Sequence, residues 1–197
     1  MDKDYGIISE KEYDKLIKKL EFFDVTRNNL LTFSFTSVLA VLGVALGIEN
    51  MSYFSVWICL IPFFLIIPFA ARISYYRLAS AHINSFLKEL NPTNMKFENG
   101  TNEVKENKCK HYNLIAWLVN HEMVFLGIAT CFIFYFRYIN IVEEWKFLNF
   151  IALIIPLMFT AFVYFISDAT YSYSALMDKF INEWNEYAKH SLIVDES

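Results

Sequence analysis

Glycine, proline and cysteine are scarce in this chain, at five, four and three of 197 residues, and charged residues make up only 19%. Each shortage removes a class of function. Five scattered glycines form no Gly-rich loop of the kind that cradles phosphate, and neither paired catalytic carboxylates nor a Ser nucleophile elbow is present. Three cysteines, Cys59, Cys109 and Cys131, give no disulfide framework. Lys and Arg are dispersed, which argues against a nucleic-acid partner. The first 29 residues are polar and charged, so no signal peptide is expected there. These absences lead to the expectation of no enzyme activity and no cofactor.

Apolar and aromatic side chains fill the space instead. The chain is 56% hydrophobic with 20 Phe, 12 Tyr and 4 Trp, and its mean hydropathy is +0.32. A bilayer core about 30 Å thick is crossed by roughly 20 apolar residues in a helix. Leu30–Ile48, Tyr53–Ala71 and Phe147–Ile166 carry no charge at all, and a fourth apolar segment ending near Val142 is interrupted by Arg137. The expected fold is therefore all-α integral membrane, with four transmembrane helices as two hairpins, residues 30–71 and 114–166. Around them the sequence places a cytoplasmic amphipathic helix (1–29), a helix extension with a polar loop (72–113) and a C-terminal helix with tail (167–197).

Charge asymmetry sets the expected orientation. Six Lys or Arg precede the first span, seven lie between the second and third, and two follow the fourth; the other loops hold only Arg137 and Lys146. The positive-inside rule then puts both termini and the central segment in the cytoplasm.

Ser9 and Glu12 have capping-box spacing, with Ile8 and Tyr13 placed as a hydrophobic staple. Tyr13, Leu16, Ile17, Leu20 and Phe23 then recur at helical spacing opposite Lys11, Lys15, Lys18 and Lys19. Such a stripe suits either an anionic membrane face or packing against other cytoplasmic helices, and the second reading is preferred. Two partners are in view. SAHINSFLKEL (80–90) and SALMDKFINEW (174–184) each follow an apolar run, 94 residues apart. Ile83, Phe86, Leu87 and Leu90 form the apolar stripe of one, and Leu176, Phe180 and Trp184 that of the other, giving a candidate cytoplasmic interface. Asn91-Pro92 ends the first. The same offset aligns Glu49 with Glu143 and Ile61-Pro62 with Ile155-Pro156, so a tandem duplication stands beside chance matching in a composition rich in Phe, Leu and Ile. Between the halves, Asn99-Gly100 could turn a small hairpin over 95–104, or an ordinary loop.

Within the spans, Ala40, Gly43 and Gly47 put small residues on one helix face, as helix packing or oligomerisation requires; packing inside the chain is the preferred reading. Pro62, Pro68 and Pro156 are expected to kink their helices. The third span has two registers. Leu114–Phe136 buries His121 and Glu122, whereas Met123–Val142 leaves them at the inner surface and places Arg137 in the outer third. Ionisable groups inside a bilayer are costly and so are candidate functional residues. The second register is preferred, with Arg137 reaching outward to Glu143 or Glu144; a proton relay through His121 and Glu122 is the alternative. Cys109, His111, His121 and Glu122 are metal-ligand types, but their spacing fits no familiar module, so no metal is expected.

The stretches LLTFSFTSVLAVLGVAL, IPFFLIIPFAARISYYRLASAHINSFLKEL and MKFENG, within about residues 30–100, resemble a group of small uncharacterised bacterial four-transmembrane-helix proteins. That resemblance implies a bacterial inner-membrane protein and carries no catalytic motif. The order of cytoplasmic helix, two spans and amphipathic helix also resembles two-span antiphage membrane effectors such as the SMODS- and SLOG-associated family, in architecture alone. The expected function is a homo-oligomeric pore or membrane-perturbing effector in the lipid bilayer. A membrane scaffold docking a soluble cytoplasmic partner and a small transporter or channel are the alternatives.

Overall fold

A computed structural model describes residues 10–48, 52–53, 55–90, 110–142, 147–170 and 176–186. Helix α1 runs Glu10–Gly47, a 3-10 helix covers Ser55–Leu60, and α2 runs Phe63–Leu90. Helix α3 is Lys110–Asn120, α4 is Glu122–Ile141 and α5 is Phe147–Asp168. Residues 176–186 are also helical, and no strand occurs among the described residues. Four segments are long and apolar enough to cross a membrane: Lys11–Gly47, Ser55–Lys88, Glu122–Ile141 and Phe147–Asp168. Ser9, the candidate hairpin at 95–104, Cys109, Glu143 and Glu144 lie outside the described residues.

Helix α1 stays unbroken for 38 residues because nothing in it breaks a helix before Gly43. Its hydroxyls turn back onto the backbone instead of competing for it: Thr32 Oγ1 donates to the Asn28 carbonyl at 3.1 Å and Thr36 Oγ1 to the Thr32 carbonyl at 2.9 Å. At 1.5 Å per residue the helix is about 57 Å long, well beyond a hydrocarbon core of about 30 Å. The amphipathic N-terminal segment and the first span, read from the sequence as separate, belong to one continuous helix.

The chain divides into two compact units. One gathers Met1–Thr26, Tyr75–Trp117 and Ser172–Ser197. In it the stripe Tyr13, Leu16, Ile17, Leu20 and Phe23 is half-buried to buried, while Lys11, Lys15, Lys18 and Lys19 stay exposed. Phe23 meets the Tyr76 ring at 5.4 Å, so this stripe packs on protein. Ile83 and Leu87 are buried. The two similar stretches meet each other: Phe86 lies 4.7 Å from the Trp184 ring, and His82 sits 5.0 Å from Trp184 and 4.9 Å from Phe180.

The other unit gathers Arg27–Ser74 and Leu118–Tyr171. Its core includes Val38, Leu42, Val56, Phe63, Ile66, Met123, Leu126, Phe134 and Val163. Phe33, Val44, Phe64, Phe132, Leu157, Met158 and Phe165 point outward and are exposed. A surface this apolar is at home in lipid. The 3-10 helix is started by Ser52, whose Oγ accepts from the Ser55 backbone N–H at 3.2 Å. Pro62 stands in the turn between the 3-10 helix and α2, and its carbonyl accepts from Leu65 and Ile66 to begin α2. Pro68 and Pro156 do lie inside helices.

The 94-residue offset carries Gly47, the end of α1, onto Ile141, the end of α4. Continuity differs between the halves, however. Helix α1 passes through Arg27 without interruption, whereas its counterpart His121 sits in a break between α3 and α4. Ser55–Leu60 is 3-10 helix, but the corresponding residues 149–154 lie inside α5.

Candidate functional site: the polar seam of α4 and α5

The seam begins at His121. Its N–H bonds the Leu118 carbonyl at 3.2 Å, and its own carbonyl accepts from Val124 and Phe125. With φ −108° and ψ 19° it occupies the bridge region and ends one helix as it opens the next. Glu122 then falls in the first turn of α4, where the helix dipole favours an acid. The His121 ring is fully buried and stacks on Tyr164 at 5.3 Å. Its Nε2 lies 3.7 Å from Asp168 Oδ1, an ion-pair distance if the imidazole is protonated but too long for a hydrogen bond.

Further along, the helices touch backbone to side chain. A Cβ placed at Gly127 would lie 3.3 Å from Thr160 Oγ1 and 3.5 Å from Phe63 Cε1. Thr160 Oγ1 donates to the Pro156 carbonyl at 2.9 Å, the Cys131 thiol donates to the same carbonyl at 3.2 Å, and the two side chains are 3.0 Å apart. Tyr135 Oη donates to the Leu153 carbonyl at 2.6 Å. Backbone groups beside a proline are thus satisfied by side chains, which a span in lipid requires. Successive contacts pair rising α4 positions with falling α5 positions, so the two helices run antiparallel along their length.

At the far end three polar side chains converge. Tyr138 Oη and Tyr53 Oη are 3.1 Å apart, and each donates to Asn149 Oδ1 at 3.1 Å. Tyr138 is fully buried, stacked on Phe134 at 5.2 Å. Nearby, the Arg137 guanidinium donates to the Leu46 carbonyl in the last turn of α1. A cation at a helix C-terminus meets both the orphan carbonyls and the negative end of the dipole.

Several sequence expectations are redistributed by this geometry. His121, Glu122 and Arg137 do not form one site: 16 residues of helix separate His121 from Arg137, about 24 Å. Arg137 bonds a carbonyl of α1, and its expected acidic partners Glu143 and Glu144 lie outside the described residues. The apolar span begins at Glu122, in line with the second of the two registers. Ala40 is exposed, and a Cβ at Gly43 or Gly47 meets nothing within 4 Å among the described residues. Among the described residues nothing packs on this small face, because α1 turns Val38, Leu42 and Ala45 inward instead. Ile83, Phe86, Leu87, Leu176, Phe180 and Trp184 lie in the unit that holds the aromatic cluster, and of the Leu90 side chain nothing is described. Among the described residues no three His, Cys, Asp or Glu side chains are grouped to hold a metal.

The seam residues Tyr53, Gly127, Tyr138, Asn149, Thr160 and Asp168 were not singled out from sequence. A signal existed: Asn149, Pro156, Thr160, Tyr164 and Asp168 recur at helical spacing along one face of α5. Hydropathy averages conceal it, because each polar residue is diluted by its apolar neighbours. Chemically, the seam holds two helices in register through side-chain hydrogen bonds; no nucleophile is placed against a base in it. No family model matches the chain, and no curated protein or solved structure is similar enough to count as a match.

Proposed function

We propose that this chain is a non-enzymatic, multi-pass protein of the bacterial inner membrane whose working form is a homo-oligomer that perforates or perturbs the bilayer, in the manner of an antiphage effector. Its four apolar helices act as two hairpins derived from one duplicated unit, with both termini in the cytoplasm. One observation carries the reading: Ala40 is exposed, and a Cβ at Gly43 or Gly47 has no neighbour within 4 Å among the described residues, which leaves this face of α1 open there. Between helices in lipid there is no hydrophobic drive, and close approach over small residues supplies the van der Waals contact that replaces it. The polar seam, by contrast, spends its Tyr135, Tyr138 and Thr160 hydroxyls on bonds within the chain, so α1 is the side left for a second copy. The cytoplasmic helices then serve as the sensing or assembly element. The scaffold reading loses ground, because Phe86, Phe180 and Trp184 are engaged with one another and with His82.

The test is dye release from proteoliposomes, together with membrane depolarisation on overexpression. Both are expected for the parent and lost in the Gly43→Leu/Gly47→Leu double variant, with membrane insertion unchanged. Undiminished leakage from that variant refutes the proposal. A small transporter or channel is the second reading, favoured by the buried His121 beside Asp168 at one end of a seam that continues polar to Asn149. Ion flux that survives alanine replacement of His121, Glu122 and Arg137 together removes it.

A further inference from the structure

Helix α3 has no role in that proposal, yet its surface is distinctive. Leu114, Ile115, Leu118 and Val119 are 57%, 57%, 40% and 48% exposed. At 100° per residue these four occupy an arc of about 140°. Asn113 and Asn120 fall on the opposite side of the wheel, and Lys110 opens the helix. Four large aliphatic side chains side by side on an 11-residue helix form a patch that water does not favour. What covers them follows from the chain itself. Only His121 separates Asn120 from Glu122, the first residue of a segment apolar enough to span a membrane. Eleven residues of helix extend about 16 Å, and the last of them stands two positions before α4, so α3 is tethered to the point where α4 enters the bilayer. The bridge-region conformation at His121 interrupts the helix at this boundary.

We infer that α3 is an interfacial helix, with Leu114, Ile115, Leu118 and Val119 seated in the headgroup–acyl boundary of the leaflet where α4 begins. Its ligand is the phospholipid surface. Apolar side chains enter the outer acyl region, and the rest of the helix stays at the headgroup level. The inference rests on α4 crossing the membrane and is independent of whether the protein forms a pore.

Nitroxide labels test it in the full chain, reconstituted into vesicles of mixed phosphatidylcholine and phosphatidylglycerol. Leu114→Cys, Ile115→Cys, Leu118→Cys and Val119→Cys are labelled one at a time in a Cys109→Ser background, leaving the buried Cys59 and Cys131 in place. Phe132→Cys, on the exposed face of α4, reports the span itself. Power saturation with oxygen and a water-soluble nickel chelate reads depth. All four α3 labels are expected to favour oxygen and to lie at one shallow depth, about 5–10 Å below the headgroups, with the Phe132 label much deeper. Three results overturn the inference: nickel preferred at the four sites, which means water; both reagents excluded, which means a protein cover; or depth growing steadily from 114 to 119, which means a continuation of the span. A Phe132 label in water removes the span and the inference together, whereas loss of the pore activity alone leaves these depths unchanged.

Discussion

Replacing Gly127 with leucine tests whether the α4–α5 contact holds the second unit together. The site has no room. A bare Cβ there already lies 3.3 Å from Thr160 Oγ1, 3.4 Å from Thr160 Cγ2 and 3.5 Å from Phe63 Cε1. Three further carbons must displace Thr160 or Phe63, and Phe63 is itself buried against Phe159 at 5.3 Å. Moving Thr160 also breaks its bond to the Pro156 carbonyl and its contact with Cys131. Overpacking costs about 1–3 kcal/mol and each lost hydrogen bond about 0.5–1.5 kcal/mol. The gain in helix propensity on leaving glycine offsets roughly 1 kcal/mol. The net expectation is destabilisation by about 1–3 kcal/mol, or roughly 5- to 150-fold in the folding constant. Unfolding by SDS from dodecyl maltoside micelles, followed by far-UV circular dichroism, measures it. Gly43→Leu is the control: with no neighbour within 4 Å among the described residues, it should change monomer stability by less than about 0.5 kcal/mol. Parent-like stability for Gly127→Leu, or equal damage from both variants, refutes the reasoning.

Asn149→Ala removes the acceptor shared by Tyr53 and Tyr138. It should cost about 1–2 kcal/mol in the same unfolding assay, because the Tyr138 hydroxyl is buried and left with Tyr53 alone. Arg137→Met removes the cation from the end of α1. Amide exchange in the last turn of that helix should quicken about fivefold, equivalent to about 1 kcal/mol, while Arg137→Lys should restore most of the protection. Unchanged exchange in the Met variant means the cap contributes nothing.

The membrane-crossing segments were legible because a run of some 20 uncharged apolar residues has few other uses. The pairing of the two similar stretches was legible for a different reason. A 3.6-residue period survives in Ile83, Phe86 and Leu87 and in Leu176, Phe180 and Trp184, and it names the face that packs. Other features had no such mark. The break at His121 uses neither glycine nor proline, so the sequence offered only an ambiguous span, too long to place. Ala40, Gly43 and Gly47 declare a close-packing face but not its partner, because composition cannot say which side of a helix turns inward. The seam escaped notice because its polar groups pair with each other across α4 and α5, and such pairing is visible only once the helices are antiparallel.

The contact between Arg137 and the Leu46 carbonyl spans 91 residues of chain, and this fixes an order of events during synthesis. The end of α1 emerges and enters the bilayer long before its cap exists. At about 5–20 residues per second, translation of the intervening chain takes roughly 5–18 s. During that interval the terminal carbonyls of α1 must stay at the aqueous surface or borrow donors from the insertion machinery. Arrival of α4 then locks the first span from the far side of the sequence. A truncated chain ending before Arg137 would carry two apolar segments whose first end is never secured, a natural target for membrane quality control.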